Sequence, residues 1–115
     1  MVEPAVRRFK PDIIIVSAGF DAHWKDPLGA LSWRSSTFHA LAGRASALAA
    51  ELCAGRLVLL LEGGYDLGAL GESVASAFAG LLGRPAIDSL REALPEEPLE
   101  RVRAAIRETQ RVHGL

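Results

Sequence analysis

Two stretches of the chain are apolar almost without interruption, and both have the length of strands. In Asp12-Ile-Ile-Ile-Val-Ser-Ala18 four β-branched residues stand in a row with no polar alternation. That pattern predicts a strand buried on both faces, as in a parallel sheet covered by helices. Arg56-Leu-Val-Leu-Leu-Leu61 has the same character. Between them Phe38, Leu41, Ala42, Ala45, Leu48, Ala49 and Leu52 recur at helical spacing. Ser35 or Ser36 stands where a cap would open this helix, and Gly55 where a left-handed residue would close it. After the second strand Asp66 is placed to cap another helix. Leu67, Leu70, Val74, Phe78 and Leu81 form its stripe, and Gly83 and Pro85 end it. Residues 1–11 read as the end of a helix, with Pro4 in its first turn, Val6 and Phe9 on one face, and Lys10-Pro11 as the stop. A last helix is predicted from Pro98 to about Val112, with Leu99, Val102 and Ile106 on one side.

The order is thus helix, strand, loop, helix, strand, helix, helix. A strand–helix–strand unit of this spacing makes a right-handed parallel crossover. Two parallel strands alone leave their edges and faces bare. The fold class expected is therefore α/β, a β-α-β-α unit that is an incomplete part of a larger parallel sheet. The rest would come from another chain, another copy or further sequence. Residues 1–84 read as the sheet-forming part and 85–115 as a charged helical tail packing on it or extending it.

Composition narrows the functions open to such a unit. The 115 residues are 50% hydrophobic and 23% charged, which suits one small folded domain. A net charge of −1 gives no electrostatic basis for binding nucleic acid or an anionic membrane surface. No apolar run approaches the roughly 18 residues of a membrane span. The first ten residues hold charge and no apolar signal core, so the expected compartment is the cytoplasm. The single cysteine, Cys53, excludes an internal disulfide and a four-cysteine zinc site, and its place beside the helical stripe reads as core.

Ligands of open α/β sheets bind beyond the carboxyl ends of the strands. Both unusual loops of this chain begin there: Gly19-Phe20-Asp21 after the first strand, Gly63-Gly64-Tyr65 after the second. If the strands are neighbours, Asp21 and Tyr65 share a rim. A carboxylate there can ligate a metal or act as a base, and a phenol can donate to a developing oxyanion. The plainer readings are a turn or cap for Asp21 and a packed ring for Tyr65. His23 reads as a solvated loop histidine, His39 as a helix-surface residue, His113 as free, Asp26-Pro27 as a turn, and the charged tail as a solvated face. Neither a dinucleotide fingerprint, a Walker A loop nor a nucleophile elbow is present.

Taken together, Pro11-Asp-Ile-Ile-Ile-Val-Ser-Ala-Gly-Phe-Asp-Ala-His23, Asp26-Pro-Leu-Gly29 and Leu61-Glu-Gly-Gly-Tyr-Asp66 resemble the zinc-dependent histone deacetylase family. The likeness is to its class II branch and its acetoin-utilisation and acetylpolyamine amidohydrolase relatives, over residues 4–84. The resemblance implies the three-layer fold of arginases and deacetylases. It also implies a zinc ion with Asp21 among its three protein ligands, and Tyr65 as the hydroxyl that stabilises the tetrahedral oxyanion. Gly63, Gly64, Leu28 and Phe20 would be the substrate-binding residues around the acetyl group and its channel. The substrate implied is acetyl-lysine or another acetylated amine.

The chain departs from the family pattern in two ways. It has no Asp-x-His zinc pair, since at Asp21-Ala-His23 the family pattern uses only the aspartate, and no His-His acid/base pair, so alone it is expected to be inactive and to bind zinc weakly or not at all. Its partner would then be a missing N-terminal portion or a second copy. Trp33-Arg34 also departs from the pattern, and either a rim role or local packing would account for it. The competing reading is a non-catalytic structural or interaction module that keeps a deacetylase half-fold. An arginase-like manganese hydrolase shares the architecture, but its several Asp and His ligands are also missing.

Overall fold

In the computed structural model, residues 2–90 and 99–114 are described. They form α1 (Val2–Phe9), β1 (Ile14–Ala18), α2 (Ser35–Cys53), β2 (Leu57–Leu61), α3 (Leu67–Leu81) and α4 (Leu99–His113), in that order. Pro98, the predicted start of the last helix, and the charged tail residues within 91–98 lie outside the described residues.

β1 and β2 are direct neighbours and run parallel, from Ile14 opposite Leu57 to Ala18 opposite Leu61. Side chains alternate between the two faces of a strand. Ile14, Val16 and Ala18 of β1 and Leu57 and Leu59 of β2 are half-buried, whereas Ile15, Ser17, Val58 and Leu60 are exposed. Ile15 is 61% exposed and Leu60 53%. The expectation of strands buried on both faces is therefore corrected. The helices of this chain cover one face, and the other is bare hydrocarbon. Among the described residues no third strand pairs with either edge.

The core lies between the covered face and the crossing of α2 with α3. Phe20, Phe38, Ala42 and Ala77 form its centre, and the Phe20 and Phe38 rings are 4.9 Å apart. Trp33 packs on Phe38 at 5.5 Å, which settles the reading of this residue as local packing. The two helices approach through small residues. At Gly80 a Cβ would run into the carbonyl of His39 and stand 3.3 Å from the Gly43 nitrogen. The buried residues of α3 are Ala69, Ser73, Ser76, Ala77, Ala79 and Gly80, while Leu67 and Phe78 of the predicted stripe are exposed. Large side chains would hold the helices apart, so α3 turns its small residues to α2. Val74, Phe78 and Leu81 are left lining a gap of about 280 Å³ against Leu59 and Leu61.

Arg34, not a serine, occupies the N-cap of α2, where its backbone N–H donates to Thr37 Oγ1 at 3.4 Å. Ser35 is fully buried and its hydroxyl is engaged elsewhere. Ala54 and Gly55 both turn left-handed at the other end, so the C-cap falls one residue earlier than predicted. Asp66 caps α3 as expected, its Oδ1 accepting the Ala69 N–H at 2.7 Å. The segment after α3 runs back along it. His39 Nε2–H donates to the Arg84 carbonyl at 2.7 Å, and the Ile87 N–H to Ser76 Oγ at 3.1 Å. Trp24 Nε1–H then donates to the Leu90 carbonyl at 3.3 Å. α1 is attached to α2 by Glu3–Arg44 and Arg7–Glu51 ion pairs and leaves a gap of about 900 Å³ over Ile14 and Val16.

Candidate functional site

Because the strands are parallel neighbours, the loops that leave their carboxyl ends lie side by side. Backbone hydrogen bonds join them: the Glu62 N–H donates to the Ala18 carbonyl at 3.2 Å, and the Phe20 N–H to the Gly63 carbonyl at 2.8 Å. The Asp21 carboxylate rests on the surface left by two glycines. Its Oδ2 is 2.6 Å from where a Cβ on Gly63 would sit, and its Oδ1 is 3.2 Å from the same position on Gly19. Gly64 has φ +135°, a backbone state that residues with a Cβ rarely adopt. The double glycine thus does two jobs: Gly63 makes room for Asp21, and Gly64 turns the chain into Tyr65.

Tyr65 is 54% exposed, and among the described residues no hydrogen bond or ring contact holds its phenol. What is held is its backbone. The Tyr65 N–H donates to Asp26 Oδ2 at 2.7 Å, while Asp26 Oδ1 accepts the Leu28 and Gly29 N–H groups at 2.9 and 3.0 Å. Burial alone would raise the pKa of the Asp26 carboxyl. The N–H donors of Tyr65, Leu28 and Gly29 outweigh burial and hold the group below its ordinary value. Asp26 is therefore an anion under all but acidic conditions. The predicted turn at Asp26-Pro27 is present, but the longer bond to Tyr65 has no local signature in the sequence.

His23 is corrected from a solvated to a fully buried residue. The Lys25 N–H donates to its Nδ1 at 3.2 Å, which assigns the ring proton to Nε2, 3.5 Å from Ser35 Oγ. Ser35 Oγ in turn lies 3.3 Å from Ser73 Oγ. Burial pushes the His23 pKa down, against the pull of the Glu72, Asp66 and Asp88 carboxylates. A protonated ring would also turn an N–H toward that of Lys25, so the geometry suits the neutral imidazole. His23 serves as a buried support of its loop. Its neighbour Glu72 accepts the N–H groups of Ser89 and Leu90 and the Ser89 hydroxyl. Hydrogen bonds from the Ser89 and Ser35 hydroxyls and from these amides keep Glu72 below its usual pKa, although burial opposes them.

The structure brings Asp21, Gly63, Gly64 and Tyr65 to one rim. Leu28 stands 72% exposed on the adjoining loop. Phe20 is corrected: at 6% exposed it is a core residue packed on Phe38, with almost no surface to offer a substrate. Cys53 is buried, as its place in the pattern predicted. The sequence reads Asp26 as a turn residue and gives no sign of its hold on Tyr65.

Among the described residues no group of three or more His, Cys, Asp or Glu side chains is placed to hold a metal ion. Nor, among them, is any helix long and apolar enough to cross a membrane.

Three comparisons bear on the rim. The sequence matches the histone deacetylase domain over residues 1–81. It is 48% identical over its whole length to histone deacetylase 10, chloroplastic, of Oryza sativa subsp. japonica, of which it covers 27%. It is 45% identical to histone deacetylase 14, chloroplastic, of Arabidopsis thaliana, again over the whole chain and 28% of that protein. The chain thus spans about a quarter of the length of these curated relatives. Its fold superposes on the structure of the histone deacetylase Clr3 with a TM-score of 0.72 and 27% identity, over 94% of this chain and 17% of the other. The deacetylase neighbours place the two-stranded unit in the α/β arginase/deacetylase fold.

Proposed function

Because the chain belongs to the histone deacetylase family, we propose that it supplies one wall of a zinc-dependent amidohydrolase site that removes acetyl groups from acetyl-lysine or other acetylated amines. The observation that carries this reading is the packing of the Asp21 carboxylate on Gly63, two residues before Tyr65, at the carboxyl ends of paired parallel strands.

The described residues do not by themselves fit a zinc ion. A catalytic zinc takes three protein ligands and an open position, and Asp21 offers one carboxylate. In this reading Asp21 is one ligand of a complete domain, and the other ligands and the general base come from the remainder of that domain. The chain's own contribution is then the opposite side of the pocket. Gly63 and Gly64 line the acetyl group with backbone, their Cβ directions being taken by Asp21 and by Leu70 and Phe20, and Leu28 offers an apolar edge to the acyl-amine stem. The Tyr65 hydroxyl donates a hydrogen bond as charge builds on the carbonyl oxygen, an effect worth about 3 kcal/mol for one well-placed donor. The exposed Ile15, Val58 and Leu60 are where the remainder of the sheet and its second helical layer would seat, with self-association the other way to cover them. Nucleic acid and membrane have no place in this reading.

The test is co-expression with the polypeptide encoded upstream, followed by metal analysis and cleavage of an acetyl-lysine peptide. The assembly is expected to hold zinc and cleave, and the chain alone to do neither. Tyr65→Phe should abolish cleavage and leave zinc in place, whereas Asp21→Ala should lose the metal. An assembly that holds zinc stoichiometrically and cleaves no acetylated amine would overturn the assignment.

A further inference from the structure

The Tyr65 phenol has no partner of its own among the described residues, so its position depends on what fixes its backbone. That fixture is Asp26. One oxygen of its carboxylate accepts the Tyr65 N–H at 2.7 Å, and the other accepts Leu28 and Gly29. Asp26 is 7% exposed, so water competes little for these bonds. Bonds from N–H groups to an ionised oxygen are also among the stronger ones in proteins. Gly29 connects the same carboxylate to the other functional residue. It passes so close to the Asp21 carbonyl that no Cβ fits there. A local turn would account for the Leu28 and Gly29 bonds, but not for the bond to Tyr65, which lies 39 positions away in the sequence.

We propose that Asp26 is a positioning residue of the rim, setting where Tyr65 stands relative to Asp21 by holding the backbone of both loops on one carboxylate. The inference rests on the roles given above to Asp21 and Tyr65, and its test separates the two. In the 115-residue chain, amide hydrogen exchange is followed by NMR for wild type, Asp26→Asn and Asp26→Glu, with Val16 and Ala77 as reference amides. Asp26→Asn should make the Tyr65 amide exchange about tenfold faster or more, the loss expected for a bond to a charged acceptor, and leave the references unchanged. Asp26→Glu, which keeps the charged acceptor, should restore part of the protection. In the assembled enzyme Asp26→Asn should lower kcat by about 100-fold, the scale of an ångström-sized misplacement, with KM and zinc content unchanged. In a Tyr65→Phe background the same change should cost little more.

Unchanged exchange at Tyr65 in Asp26→Asn would overturn the proposal. Equal loss of protection at all three amides would overturn it too, since Asp26 would then have no separate hold on Tyr65. So would an undiminished effect on kcat in the Tyr65→Phe background. An assembled wild type that holds zinc but does not cleave would instead defeat the rim's assigned chemistry, and the exchange measurement would still decide the tether.

Discussion

The rim and the outer face of the sheet belong to the same two strands and are built in opposite ways. At the rim the supporting groups are paired inside the chain: backbone bonds join the loops, Asp26 collects amides from both, and His23 is enclosed with Ser35 and Ser73. On the outer face Ile15, Val58 and Leu60 stand in the open. The difference separates two requirements of a half-site. Geometry at the carboxyl ends is supplied from within, by hydrogen bonds and glycines. Burial of the sheet is left to something else. The loops at the carboxyl ends can therefore be held in place from within the chain while one face of its sheet stays uncovered.

Substitutions on the two sides put this contrast at risk in different ways. The largest effect is expected in the core. Phe38→Ala removes a ring packed between Phe20 and Trp33 and should cost about 3 kcal/mol, read from urea unfolding followed by circular dichroism. A loss under about 1 kcal/mol would mean that the inner side is as loosely built as the outer one.

Acid should act next, and through His23. Its pKa in the folded chain lies below its ordinary value, so the folded state takes up its proton less readily than the unfolded chain. The stability it contributes is complete above the unfolded value of about 6.5 and is lost as pH falls below that toward the folded pKa. Glu72 and Asp26, also depressed, lose theirs only below the usual carboxylate range of about 4. Urea midpoints measured from pH 8 to pH 3 should therefore fall in two steps, and His23→Asn should remove the upper one. A wild-type profile that is flat between pH 7 and pH 5 would contradict the enclosure of a neutral imidazole.

The smallest effect on the chain itself belongs to the outer face. Ile15→Lys should change its stability by less than about 0.5 kcal/mol, because the side chain already stands in water. If the remainder of the domain is a separate polypeptide, as proposed above, the same change should weaken assembly with it, seen by sedimentation velocity. A cost as large as that of Phe38→Ala would erase the contrast.

Much of this was legible in the sequence because it depends on local pattern. Uninterrupted apolar runs gave the strands, the Asp66 cap and helical periodicity gave α2 and α3, and glycines after the strand ends marked the rim. The errors share one cause: each depended on what a residue meets across the fold. The stripe of α3 packs only in part: Leu70, Val74 and Leu81 lie against the core, but contact with α2 at Gly80 selects small residues and leaves Leu67 and Phe78 exposed. Ser35 looked like a cap, but its hydroxyl is held by the buried cluster. Phe20, adjacent to Asp21, shares its loop and not its surroundings. The Asp26–Tyr65 bond spans two loops that become neighbours only once β1 and β2 pair, and no spacing rule announces it.

The uncovered side of the sheet also bears on how such a polypeptide must be made. Oily strands with free edges are templates for uncontrolled pairing with other molecules in a crowded cell. A surplus of this chain over whatever covers it would be drawn into aggregates or degraded. If a second polypeptide covers this face, as proposed above, the abundance of the chain is expected to follow that of its counterpart, with the two synthesised in matched amounts and close in time.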